Sequence, residues 1–189
     1  MRDRMEDKQL VEKVLSGDLA AFDLLIKRYE KLVTHMIVRL IDDERDREEI
    51  AQDIFMKVYD KLSGFTFQSK LSTWIATIAY REAANHLKKN KRWKDEQELD
   101  DILSNKQGHW DQQVEQEDYA HYIHQWIALL PHSYRLVLTL YHLEEMSYPE
   151  IVKVMDMPEG TVKNYLFRAR KKLKEILAPQ LDKEIFIHE

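Results

Sequence analysis

The chain has 189 residues, 44% of them hydrophobic and 33% charged, which is enough for one large or two small domains with their own cores and excludes general disorder. With 0 cysteines it excludes disulfides, thiol nucleophiles and cysteine-ligated zinc; no apolar run approaches the roughly 20 residues that span a bilayer, and the polar opening MRDRMEDKQ lacks a secretory h-region. A cytoplasmic chain with no direct membrane insertion is expected, and only 4 Gly and 4 Pro argue for helices.

In chain order, a first helix is predicted from about Lys8 to Leu15. It stops at Ser16-Gly17, where glycine suits a left-handed cap, and Asp18 offers a side-chain acceptor to the next helix. That second helix carries one broad apolar stripe, Phe22, Leu25, Ile26, Tyr29, Leu32, Val33, Met36, Ile37 and Leu40, and is predicted to form core. Asp42-Asp43 can cap a third helix whose acidic first turn suits the helix dipole. Its buried face reads Ile50, Ile54, Phe55, Val58, Tyr59 and Leu62, and it ends at Ser63-Gly64. After a loop over Phe65 to Lys70, Ser72 or Thr73 is expected to cap a fourth helix carrying Trp74, Ile75, Ile78, Ala79, Ala83 and Leu87. Four helices on short connections make a compact all-α domain, here residues 1–92.

The net charge of -5 hides a blocky distribution. Arg81 to Lys94 holds six cations against Glu82 alone, and Asp95 to Asp118 holds nine acids against Lys106 alone. Residues 93–116 have little periodicity and contain the soft run SNKQGH, so they read as an acidic linker. The second predicted domain is residues 117–189. Tyr122, Ile123, Trp126, Ile127, Leu129 and Leu130 lead to a break at Pro131, and Tyr134, Val137, Leu138 and Tyr141 mark a further helix.

The stretch Tyr148 to Leu177, YPEIVKVMDMPEGTVKNYLFRARKKLKEIL, carries the most information. Ile151, Val154 and Met155 share one helical face, and Asp156 to Gly160 forces a turn through a proline and a glycine. The apolar period then returns at Val162, Leu166, Ala169, Leu173, Ile176 and Leu177, with Lys163, Arg168, Arg170, Lys171, Lys172 and Lys174 between. One face can pack while the other meets phosphates, which is how a helix-turn-helix reader of duplex DNA is built. An ordinary helical hairpin with a solvated basic face has the same spacing.

Residues near the start of such a recognition helix point into the major groove. The candidates for base contact are Lys163, Asn164, Tyr165 and Arg168, with Thr161 suited to a phosphate and Phe167 completing the face. Lys171, also counted to that face, lies with Lys172 and Lys174 where they meet the backbone or only water. In the first domain the cations are mixed with aromatics, Phe65, Phe67, Trp74, Tyr80 and Trp93, and stacking rings beside phosphate-binding cations suit single-stranded bases. Each ring alone is more often core, Trp74 above all.

The chain resembles a bacterial RNA polymerase sigma factor of the extracytoplasmic-function class. SGDLAAFDLLIKRYE resembles that family's opening motif, DREEIAQDIFMKVYDKLSGF its polymerase-binding helix, and LSTWIATIAYREAANHLKK its promoter-melting helix. LLPHSYRLVLTLYHLEEMSYPEIVKVMDMPEGTVKNYLFRARKKL is similar to its C-terminal promoter-reading domain. The resemblance implies two small helical domains, a region 2-like bundle and a region 4-like helix-turn-helix. It also implies binding to core polymerase, at the clamp helices of the largest subunit through Asp46, Glu49, Gln52, Asp53 and Lys57, and at the flap of the second-largest. By the same resemblance Phe67, Gln68, Ser69, Lys70, Trp74, Tyr80, Arg81, Asn85 and Lys88 would take the -10 element as a single strand, and the C-terminal domain would read the -35 element as duplex. The linker would thread through the polymerase's RNA path. An anti-sigma factor, membrane-bound in many cases, is a further implied partner.

Departures from the family pattern fall at Ala79-Tyr80-Arg81, Asn85 and Tyr165, which touch promoter preference, and at Glu145, which replaces a frequent turn glycine and costs little if the backbone stays right-handed. Two rivals come from other classes. A helix-turn-helix regulator that never touches polymerase leaves the aromatic-basic fourth helix without a task. A metal enzyme could draw on Glu48, Glu49, Asp53 and His35, on Glu82 with His86, or on Glu117 with His121 and His124, but the paired Glu-x-x-His motifs of di-iron bundles are missing. The expectation is a protein with no catalytic activity of its own and no cofactor.

Overall fold

A computed structural model describes residues 6–41, 43–89 and 126–185. Among them every regular element is a helix: α1 (Asp7–Leu15), α2 (Leu19–Leu40), α3 (Glu44–Lys61) with a 3-10 turn at Leu62–Gly64, α4 (Leu71–Lys89), α5 (His132–His142), α6 (Tyr148–Met155) and α7 (Glu159–Ile185). The predicted linker and the start of the second domain, with Trp93, His121 and His124, lie outside the described residues.

Local chemistry explains the breaks. Gly17 takes φ 91, and the Asp18 carboxylate accepts from the Ala21 amide to start α2. Asp43 caps α3 by accepting from the Arg45 amide. Along α2 the buried positions Leu25, Tyr29, Leu32, Val33, Met36, Ile37 and Leu40 follow the helical period, and α1, α3, α4 and α5 gather round them. Asp7 fixes α1 to α2 by accepting from the Arg28 guanidinium at 2.8 Å and from the Tyr29 hydroxyl at 2.7 Å.

Four local expectations are corrected. α4 begins at Leu71, so neither Ser72 nor Thr73 caps it; the Thr73 hydroxyl is buried and donates to Glu150 at 3.2 Å. Gly160 does not make the turn before α7, because it already lies in that helix, and Asp156 carries the left-handed conformation at φ 53. Glu145 is left-handed too, at φ 51, rather than right-handed. Tyr59 is 40% exposed, its ring in a T-shaped contact with Phe22 at 4.8 Å between ring centroids.

The two halves share one core. α2 packs on α5 and α4 on α6, and the buried apolar residues run without interruption from Leu10 through Leu87 into Leu130, Leu136, Ile151 and Ala169. Polar groups cross the same boundary. Arg39, 4% exposed, donates from Nε to the buried Thr139 hydroxyl at 3.0 Å, and the His35 ring meets Glu144. Beside them His132 sits 3.2 Å from the Arg39 carbonyl and 2.8 Å from the Arg135 guanidinium.

Candidate nucleic-acid interface

The loop between the 3-10 turn and α4 is anchored by Phe65. Its buried ring lies 4.6 Å from Phe67 and 5.1 Å from Trp74, so three aromatics form one ledge. Trp74 and Tyr80 are half-buried against the core, as the apolar stripe of α4 requires, whereas Phe67 is 45% exposed. Phe67 also has φ 58, a conformation that costs a non-glycine residue about 1–2 kcal/mol. Strain of this kind concentrates at functional sites, and here it turns a ring outward beside exposed Gln68 and Lys70 and half-buried Ser69. Arg81 and Asn85 continue the outer surface one helical turn apart; Lys88 belongs to α4, with its side chain outside the described residues.

On α3 the five singled-out residues divide into two groups. Asp46 meets His86 at 2.9 Å and Lys57 meets Glu82 at 2.7 Å, so these two tie α3 to α4. Glu49, Gln52 and Asp53 stand exposed, and Met56, 59% exposed, follows at helical spacing. The apolar period of α3 does not single out Met56, and an apolar residue on an otherwise polar stripe is the signal that marks it. Those α3–α4 pairs also occupy Glu82 and His86, and no group of three His, Asp or Glu among the described residues could hold a metal ion.

The helix-turn-helix is held by a cap. The Ser147 amide and hydroxyl both donate to Glu150, at 2.8 and 2.7 Å, and fix the first turn of α6. On α7, Val162, Leu166 and Ala169 are buried, which turns Lys163, Asn164, Phe167, Arg168 and Lys171 outward together, Phe167 being 67% exposed. Thr161 is half-buried in the first turn. Tyr165 does not join the outward set, because it is half-buried with its ring at an edge-to-face angle to Tyr134, 5.4 Å between centroids. Lys163 is held by Glu159 at 2.6 Å and lies over the Tyr148 ring, and its pairing with Glu159 pushes the ammonium pKa up. Arg170 and Lys172 cover Tyr141 and Tyr134. Burial, and then Arg170, pushes the neighbouring His142 pKa down.

A family model for sigma-70 region 2 matches residues 25–93, and one for sigma-70 region 4 matches residues 120–173. The RNA polymerase sigma-H factor of Pseudomonas aeruginosa is 35% identical over 93% of this chain and 96% of its own. The extracytoplasmic-function (ECF) RNA polymerase sigma-E factor of Escherichia coli K12 is 31% identical over 95% of this chain and 98% of its own. The chain belongs to the ECF sigma factors. As a sigma factor it directs promoter-specific initiation by RNA polymerase, and the polymerase-independent regulator is not favoured.

Two solved structures share the sigma factor's fold at 20% identity. One, of CnrH in complex with the cytosolic domain of CnrY, covers 92% of this chain with a TM-score of 0.64. The other, the sigma factor RpoE with the anti-sigma factor NepR from Bartonella quintana, covers 83% with a TM-score of 0.63. No helix among the described residues is long and apolar enough to cross a membrane.

Proposed function

We propose that this sigma factor works with core polymerase in the cytoplasm by dividing promoter recognition between its halves, without a catalytic step or cofactor of its own. Residues 1–92 bind polymerase and take the -10 element as an unpaired strand, residues 93–116 tether, and residues 117–189 read the -35 element as duplex. The observation that carries this is the difference between the two outer surfaces. The Phe65, Phe67 and Trp74 ledge beside Lys70, Arg81 and Asn85 offers rings for unstacked bases and polar groups for the strand backbone. The face of Asn164, Phe167, Arg168 and Lys171 offers the donor pattern and apolar contact that a major groove accepts, with Lys163 and Thr161 toward the phosphates. Tyr165 serves this face by packing.

Glu49, Gln52 and Asp53 give α3 the acidic outer surface that suits a basic clamp helix, and Met56 adds an apolar contact. Asp46 and Lys57 support that surface by holding α3 on α4. An anti-sigma partner is part of the same reading, supported by the neighbour of this fold that was solved with one.

The test is reconstitution with core polymerase and a promoter bearing a fluorescent base analogue in the -10 element. Replacing Gln68, Ser69 and Lys70 together with alanine is expected to leave polymerase binding intact and abolish the opening signal. Normal opening by that variant removes the loop from the mechanism, and a wild-type mixture that initiates on no template removes the whole reading.

A further inference from the structure

The shared core is incompatible with promoter engagement as proposed. The -10 and -35 elements are named for positions 25 base pairs apart, about 85 Å at roughly 3.4 Å per pair along each strand. Packed helices stand only about 8–10 Å apart, so halves joined through α2–α5 and α4–α6 cannot reach both elements. The described arrangement is therefore a closed form that has to open before the promoter is bound.

The closed form is held where nucleic acid would bind. Glu150 accepts from the Lys70 ammonium at 3.0 Å and from the Thr73 hydroxyl at 3.2 Å, on the edge of the aromatic ledge. A cation and a hydroxyl converging on one carboxylate oxygen is also the donor set that a phosphate oxygen takes.

We propose that Glu150 is an internal stand-in for a strand phosphate, closing the free protein by holding Lys70 and Thr73 until single-stranded DNA displaces it. The proposal rests on the reading of the Phe65 to Lys70 loop as the strand-capture site. Closure then lowers the protein's apparent affinity for a single strand by the fraction of molecules that are open.

The test uses the full-length chain without polymerase. Glu150→Gln keeps a side-chain acceptor at the third helical position of α6, so the cap survives while the charge is lost. Thr73→Val removes the hydroxyl and keeps the shape and the charge. Glu145→Gln makes the same charge change as Glu150→Gln at an exposed turn. Small-angle scattering reads compaction, and fluorescence anisotropy reads binding of a labelled twelve-nucleotide thymidine oligomer. Glu150→Gln and Thr73→Val are expected to expand the particle and tighten oligomer binding roughly 3- to 10-fold, with Glu145→Gln matching wild type in size. If both clasp variants stay as compact as wild type, or expand without tighter binding, the stand-in is overturned. Equal gains in binding from Glu145→Gln and Glu150→Gln overturn it as well, since net charge would then suffice. Wild-type holoenzyme run in parallel separates the two failures: initiation by wild type with unaltered clasp variants removes the clasp alone, and absence of initiation removes the parent reading.

Discussion

At residue scale, side chains departed from expectation where backbone conformation or distant partners overrode the local pattern. Glu145 has a φ of 51, which puts a Cβ where glycine is favoured. The left-handed backbone costs about 1–2 kcal/mol, of which glycine's extra freedom in the unfolded chain returns a part. Glu145→Gly should therefore stabilise the protein by roughly 0.5–1 kcal/mol, read from urea unfolding, and a destabilised variant would show that the turn is not strained. Neither the cap that Glu150 makes with Ser147 nor its contacts with Lys70 and Thr73 was read from the sequence, the latter because those partners lie about 80 positions away in the chain. Burial opposes its charge, but the Ser147 hydroxyl and amide and then Lys70 outweigh that and hold the carboxyl at about 2, below its ordinary 4.5. A depressed carboxyl contributes stability that is complete above the unfolded value and disappears as pH falls through the folded one. The stability advantage of wild type over Glu150→Gln should be full at pH 7 and shrink between about pH 4.5 and about 2. A difference that stays constant across that window would assign the effect to shape rather than charge.

At the scale of elements the sequence was most readable where one period governed a long helix. The α2 stripe, the Gly17 break, the Asp18 cap and the two-helix reader all follow from spacing plus a few punctuating residues. The period was less able to sort neighbours on a face: Tyr59 leans out of α3, and Tyr165 leans in toward Tyr134. In each case an aromatic at the edge of a stripe finds a ring partner on another helix, information that no window of one helix contains. The outward face of α7 was legible through its buried complement, since Val162, Leu166 and Ala169 leave few directions for Asn164, Phe167, Arg168 and Lys171. If the Arg168 guanidinium reads a base edge, Arg168→Ala should weaken -35 recognition by about 1–3 kcal/mol, or roughly 5- to 150-fold. The measurement is holoenzyme binding to promoters varied at single -35 positions. A uniform loss across all variants would mean a phosphate contact, and no loss would take Arg168 out of the interface.

At the scale of the molecule, the all-helical class and the division into two modules were readable from composition and charge blocks, but the closure between the modules was not. Its polar elements, Arg39 with Thr139 and Glu150 with Lys70, look in sequence like ordinary surface groups. The one local hint is Arg39 among the buried positions Met36, Ile37 and Leu40, where a charge requires a partner from outside the helix. Chain length then decides whether the closed form can open far enough. The tether, residues 93–116, numbers 24 and reaches about 80 Å when fully extended, which together with the breadth of the two modules exceeds the roughly 85 Å between promoter elements. Removing 12 of them leaves 12, which reach about 40 Å. Two modules with radii of gyration near 12 Å add about 25 Å to that, still short of the span. Such a deletion should leave polymerase binding intact while footprints over the -10 and -35 elements can no longer coexist on one promoter. Simultaneous protection of both elements by the shortened chain would mean that the DNA is bent to meet the protein and that tether length does not limit opening.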